Sequence, residues 1–287
     1  MKITKNFLKC LVALFVMVIT LSLAGITAQA ATKTKKLTLY VGEKVNYYYI
    51  GLGNLKSVKT NKKAVVAAKK KGRYNQMTAK KAGSATVTVK GTKGTYVYKI
   101  TVKKEPEIEV KLERRQDKYI NINVKNKSSA YLDNVYVDIS YKNAAGQEVD
   151  SKKIYLYYLG AKKQAAKEDC PINSKDVDLS KTTYKVTWSR NMNKDYSDYT
   201  KKVKYSLSQS DKYLNIKTSI SYKKSCNVFA GYTVYFYDAN GNVIGIRDGY
   251  NYMSGSNKKY RTCTTQVRIP DQTVRYSLIN KRAMLTK

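Results

Sequence analysis

From Leu37 the chain alternates apolar and polar positions, "LTLYVGEKVNYYYI", with a turn at Gly42, and resumes at Ala64 as "AVVAAKKKGRYNQMTAKKAGSATVTVKGTKGTYVYKITVK". Period-two runs of five to eight residues, broken at Lys-Gly, Ala-Gly and Thr-Lys-Gly, predict short antiparallel strands. Strands of that length separated by such turns stack as a small sandwich, so residues 31–104 form a first module. The charge-dense segment "KKEPEIEVKLERRQDK" (103–118) reads as a junction, and alternation restarts with "KYINI". Ninety-four residues on, Lys118-Tyr-Ile-Asn-Ile122 returns as Lys212-Tyr-Leu-Asn-Ile216, and Tyr155, Tyr157, Gly160 and Lys163 return as Tyr250, Tyr252, Gly255 and Lys258 at a spacing of 95. A period that long is a whole domain. It predicts two copies of one β-module, 105–199 and 200–287.

The stretch "VYFYDANGNVIG" (234–245) raises a choice between a calcium loop and a turn. A helix-loop-helix calcium site needs a Glu at position twelve from Asp238, and that position is Gly249. Asn240-Gly241 between two β-branched and aromatic runs is instead a strong hairpin signal. The segment is read as a turn.

The first thirty residues run from Lys2, Lys5 and Lys9 through "LVALFVMVITLSLAG" to Ala28-Gln29-Ala30, the basic, apolar and small-residue order of a secretory signal peptide. Cleavage after Ala30 is the expectation, an uncleaved anchor the competing one. Removing 30 of 287 residues leaves 257, enough for two or three modules. Tyr occurs 27 times against 4 Phe and 1 Trp, which suits a β-rich chain. The expected fold is therefore all-β, three tandem immunoglobulin-like sandwiches after a signal peptide.

Charge is uneven. Without Lys2, Lys5 and Lys9 the 55 basic residues become 52, against 20 acidic, a net +32. Residues 31–104 hold 19 of the cations and a single acid, Glu43. Ten of them, Lys62, Lys63, Lys69, Lys70, Lys71, Arg73, Lys80, Lys81, Lys90 and Lys93, cluster at predicted turns and are candidate polyanion contacts. Successive turns alternate between the ends of a sandwich, so 62–63 and 80–81 should share one end, 69–73 and 90–93 the other. The plain alternative is that they keep an exported β-protein soluble and its edges unpaired.

The chain has no His, which removes Ser-His-Asp and Cys-His schemes and the commonest zinc ligand. A two-carboxylate mechanism stays open on paper, through Glu168-Asp169 or Asp195 with Asp198. Acids in Lys-rich loops are commonly only partners of lysines, so no enzyme activity, cofactor or metal is expected. Cys226 and Cys263 either form a bridge or stay as thiols, and Cys170 has no equivalent partner. The aromatic runs Tyr47-Tyr48-Tyr49, Tyr155, Tyr157 and Tyr158, and Tyr250 with Tyr252, put rings on both strand faces. Exposed ones could stack on sugars or anchor a protein; buried ones would only replace Phe.

Residues 31–104 resemble the bacterial immunoglobulin-like group-2 domain through Leu37-x-Leu39-x-Val41-Gly42-Glu43, Asn61-Lys-Lys-Ala64-Val65-Val66 and "TAKKAGSATVTV". Both later copies resemble the FxLYD-type domain of exported bacterial proteins. The second does so through Phe236-Tyr237-Asp238-Ala-Asn240-Gly241, the first more loosely through Ile139-Ser-Tyr141-Lys-Asn-Ala-Ala-Gly146, with one extra loop residue and no Asp. The resemblances imply an extracellular, wall-associated protein of a Gram-positive-type bacterium, held non-covalently since no L-P-x-T-G motif is present. The partner expected is an anionic wall polymer, with a glycan or surface protein as alternatives. Nucleic acid is not expected, nor is a membrane once the signal is removed.

Overall fold

The computed structural model describes residues 32–48, 51–115, 118–191, 196–221, 226–254 and 260–286. The signal-peptide expectation falls outside them, as do Tyr49 and Asp195. The described residues are nearly all strand and include no α-helix, only single 3-10 turns at Ser174–Asp176 and Thr200–Lys202. The chain divides into two units at Glu105/Pro106.

The first unit has seven strands: β1 (Thr32–Tyr40), β2 (Lys44–Tyr48), β3 (Leu55–Thr60), β4 (Val66–Lys71), β5 (Tyr74–Ala79), β6 (Gly83–Gly91) and β7 (Thr95–Lys103). They form one sheet in the order β1-β7-β6-β3 and a second in the order β2-β5-β4. β1 runs parallel to β7, and the other pairs are antiparallel. The period-two reading holds in detail: Ala85, Val87 and Val89 of β6 and Tyr98, Ile100 and Val102 of β7 are buried, with exposed or half-buried residues between them. Tyr47 of one sheet stacks on Tyr98 of the other at 5.6 Å.

In the second unit the supposed junction is itself a strand, β8 (Ile108–Arg115), followed by β9 (Tyr119–Asn126), β10 (Leu132–Lys142), β11 (Glu148–Leu159), β12 (Gln164–Asp169) and β13 (Thr183–Ser189). Ile108, Val110 and Leu112 already alternate there; dense charge at the intervening positions hid the pattern. Next come β14 (Tyr196–Asp198), β15 (Lys204–Ser210), β16 (Tyr213–Ser221), β17 (Asn227–Tyr237), β18 (Val243–Met253), β19 (Tyr260–Arg268) and β20 (Arg275–Thr286). The sheets β12-β9-β8 and β11-β10-β13 are repeated strand for strand as β19-β16-β15 and β18-β17-β20. The repeat seen in sequence is thus a repeat of topology. One strand breaks the symmetry: β14, within the span assigned to the first copy, pairs with β20 of the second.

The hairpin reading also holds, with a difference in turn type. Gly241 is left-handed at φ 79 and Asn240 is not, so this is a longer turn closed by a left-handed Gly rather than a two-residue loop. Asp238 Oδ1 accepts the backbone N–H groups of Asn240 and Asn242, and its Oδ2 accepts the Asn242 amide. Those bonds, the Asn242 amide foremost, hold the Asp238 carboxyl below its usual range. In the first copy Asn143 stands where Asp238 does: its side-chain Oδ1 accepts the Gln147 N–H and Gly146 sits at φ 80. The two loops are equal in length and carry the same register shift, at Tyr141/Lys142 and at Phe236/Tyr237, so the extra loop residue expected from sequence is not there: Lys142, not Tyr141, occupies the place of Tyr237.

The cysteine bridge is not formed. Cys226 is a buried free thiol whose Sγ lies 3.3 Å from Arg261 Nη1. Cys263 lies on β19, in the facing sheet, and packs as a thiol against the same apolar cluster. Cys170 is free and exposed.

Candidate functional site

The two copies of the second unit meet through β12, the edge strand of a sheet in the first copy, laid against the outer face of β18-β17-β20 in the second. An edge strand presents unpaired N–H groups, and here the Ala166 N–H is directed to the Thr233 hydroxyl at 3.4 Å. Gln164 donates to Asn280 at 2.6 Å. Glu168 is the centre of the joint: its carboxylate takes Arg115 at 2.8 Å, the Ile246 N–H at 2.8 Å and the Arg247 guanidinium. Beneath it, Arg282 and Asp248 form a buried ion pair at 2.9 Å, with Thr233 donating to the same carboxylate. Gly231 makes room for this pair, since a Cβ there would meet Arg282 Nε at 2.6 Å. Lys167 is caught in the same layer. Burial lowers the pKa of its amine; Asp248 opposes that shift and Arg282 adds to it.

This joint brings the two predicted tyrosine runs together. On β11, Ile154, Leu156 and Leu159 point into the core while Tyr155 and Tyr157 point out, 43% and 39% exposed. Tyr158 breaks the alternation at φ 55, uncommon for a bulky residue, and its ring stacks on Phe229 of the second copy at 3.7 Å. Tyr250 then lies 4.9 Å from Tyr158 and 5.9 Å from Tyr157, and Phe229 lies 4.9 Å from Tyr252. Tyr250 and Tyr252 are 38% and 45% exposed. At the other end Tyr136 meets Tyr155 edge-on at 5.3 Å. Rings from β11 and β18 thus meet over the buried Phe229 of β17, and Tyr155 and Tyr136 continue the same outward face along β11 and β10, together making a strip.

Its polar margins are held in place. Tyr252 donates to Asn227 at 3.0 Å, Asn134 donates to Ser189 at 2.9 Å, and Asp138 pairs with Lys153 at 3.2 Å. Burial first, then the neighbouring Tyr250 and Asp133, pushes the Tyr158 hydroxyl up to about 12, so it is protonated at neutral pH. Tyr136 and Phe229 were not singled out by sequence. Their signal is register: Tyr136 lies opposite Tyr155, and Phe229 opposite Tyr252.

All ten candidate cations of the first unit are exposed. Strand directions put Lys62, Lys63, Lys80 and Lys81 at one end, where the Lys80 and Lys81 N–H groups bond to Val65. Lys69, Lys70, Lys71, Arg73, Lys90 and Lys93 lie toward the other. The module's one acid, Glu43, is buried and accepts the Tyr40 N–H at 2.8 Å.

Three of the four candidate acids are described, and each is engaged. Glu168 sits in the joint, Asp169 accepts the Tyr141 hydroxyl at 2.9 Å, and Asp198 pairs with Lys163 at 3.0 Å. Among the described residues no group of three His, Cys, Asp or Glu could hold a metal ion, and no helix is long and apolar enough to cross a membrane.

No family model matches the chain, and no curated protein matches it. Among solved structures, a Bacteroides ovatus surface protein, SGBP-B of a mixed-linkage glucan utilization locus in complex with a mixed-linkage heptasaccharide, aligns over 91% of this chain and 77% of its own at 9% identity and a TM-score of 0.20. The C-terminal globular domain of a Pyrococcus abyssi oligosaccharyltransferase aligns over 78% and 50% at 6% identity and a TM-score of 0.13. A structure of infectious bursal disease virus, Gx strain, aligns over 85% and 64% at 12% identity and a TM-score of 0.12. At such scores these alignments carry no argument about fold or function.

Proposed function

We propose that this is a non-enzymatic, exported glycan-binding protein of the bacterial surface, whose second unit holds sugar chains on the strip formed by Tyr155, Tyr157, Tyr250 and Tyr252. The observation that carries the reading is the joining of two tyrosine runs, 95 residues apart in sequence, into one exposed row. Tyrosine is well suited to sugars, because the ring face offers apolar area to the C–H face of a pyranose and the hydroxyl reaches its polar edge. The engagement of Glu168, Asp169 and Asp198 with internal partners supports a binding rather than a hydrolytic role. The group-2 immunoglobulin-like and FxLYD-like assignments, and attachment to the wall of a Gram-positive-type cell, belong to the same proposal.

A second reading is electrostatic retention on anionic wall polymer through the first unit. It is favoured by one observation: the only acid among residues 31–104 is buried, leaving the ten surface cations without an ion pair among the described residues. The two contributions separate by salt, since exposed charges are screened and ring stacking is not. The test is co-sedimentation of the protein with purified cell walls, intact or stripped of anionic polymer, at low and high salt. A salt-resistant fraction that disappears when all four tyrosines are changed to Ala is the expected result. Binding indifferent to those tyrosines contradicts the strip; binding indifferent to both salt and stripping contradicts the electrostatic reading.

A further inference from the structure

In the first unit two exposed cations lie beside an aromatic pair at the tip of one hairpin. β4 and β5 are joined by Gly72-Arg73, with Gly72 at φ 59, as two-residue hairpin turns with Gly first favour. The turn puts Arg73 at the hairpin tip. Register then aligns Tyr48, Tyr74 and Lys71 across the sheet, with Asn46 opposite Gln76 two residues along. Because strand residues alternate between faces, these side chains share the outer face, while Val45 and Met77 fill the core.

Tyr48 and Tyr74 are about half exposed, 54% and 48%, and their rings lie 5.6 Å apart at 55°. Gln76 donates to Asn46 Oδ1 at 2.9 Å, fixing the Asn46 side chain. Asn46, Lys71, Gly72, Arg73 and Tyr74 line an open cleft of about 430 Å³. Neither Lys71 nor Arg73 has an ion pair among the described residues. Arg presents a planar fork that grips carboxylate or phosphate bidentately, and Lys supplies a point charge. Rings beside two cations match a ligand with an anionic group on a sugar or polyol unit.

The geometry points to this hairpin face as a specific binding site for an anionic unit of a sugar or polyol chain, with Arg73 and Lys71 on the anion and Tyr74 and Tyr48 on the carbon skeleton. It deepens the electrostatic reading and rests on it, replacing a diffuse cationic field with a located contact. Two sources share this chemistry, a phosphodiester-linked polyol and a uronic-acid chain.

The full chain is titrated at fixed salt with a glycerol-phosphate oligomer, a uronic-acid oligosaccharide and a neutral oligosaccharide of similar length. Tyr48, Arg73 and Tyr74 are exposed, so substitution there leaves the core intact. Arg73→Gln with Tyr74→Ala is expected to weaken anionic binding at least tenfold, Arg73→Lys to weaken it severalfold at unchanged charge, and Tyr74→Phe to retain it. Lys62→Gln with Lys63→Gln, and Lys80→Gln with Lys81→Gln, remove more charge from the opposite end and are expected to cost less than twofold each. The tighter of the two anionic probes identifies the source. Equal losses from both ends would overturn the seat and leave only a field; unchanged binding in the hairpin variants would overturn it as well. No binding of either anionic probe by the unaltered protein would overturn both the seat and the electrostatic reading, without touching the tyrosine strip, which is read with the neutral oligosaccharide.

Discussion

Strands β10 and β17 are the same strand of the repeat, yet they are buried differently. In β10, "LDNVYVDISYK", the positions Val135, Val137, Ile139 and Tyr141 are buried and their neighbours are half-exposed. In β17, "NVFAGYTVYFY", Phe229, Gly231 and Thr233 on the outer face are buried as fully as Val228, Ala230 and Tyr232 on the inner. The difference is the joint: β12 covers the outer face of the second copy, and the outer face of the first keeps Tyr136 and Tyr155 at the surface. A strand that loses its alternation marks the covered face. One that keeps it marks the face left open.

The comparison breaks most visibly at the buried pair. Changing Asp248 to Ala leaves Arg282 buried without its carboxylate, a loss of about 3–5 kcal/mol, measurable by urea unfolding. No such cost attends Asp138→Ala in the first copy, whose pair with Lys153 is exposed. Next comes Glu168→Gln, which keeps the shape of the joint and removes its charge. A loss of about 1–3 kcal/mol is expected, together with separation of the two copies' unfolding into distinct phases. The free thiols predict almost no effect: reductant should shift the melting temperature by no more than about 1 °C, whereas a bridge is worth about 2–4 kcal/mol. A small, pH-dependent effect distinguishes the turns. With its folded-state pKa lowered, the Asp238 carboxylate stabilises above the ordinary Asp range, and this is lost as pH falls through the folded value. Asp238→Asn should therefore slightly destabilise at neutral pH, the difference from the parent vanishing in acid, while Asn143→Gln in the first copy shows no such pH dependence.

Most strands were legible because period-two alternation and Gly-containing turns are local signals. Lys118-Tyr-Ile-Asn-Ile122 and its return at Lys212 disclosed the repeat for the same reason. β8 escaped because Glu109, Lys111 and Glu113 made an ordinary alternating strand look like a charged linker. β14 escaped because its partner residues on β20 lie 86 to 90 positions later, and a three-residue strand carries almost no pattern. The individual tyrosines were legible, but the strip was not. It depends on the docking of two copies through Glu168, Thr233 and Arg282, groups that in sequence are indistinguishable from solvated side chains.

The central claim is that rings from both copies act as one binding surface. It is tested most directly by calorimetric titration of a neutral oligosaccharide that binds the unaltered protein, against Tyr157→Ala, Tyr250→Ala and the double variant. A ring that covers roughly 40 Å² of apolar sugar surface contributes about 1 kcal/mol, so each single change should weaken binding about fivefold. Because the two rings lie 5.9 Å apart, the double variant should depart from the product of the singles, as contacting residues do. Unchanged affinity in both single variants, with their folding intact, would contradict a shared strip.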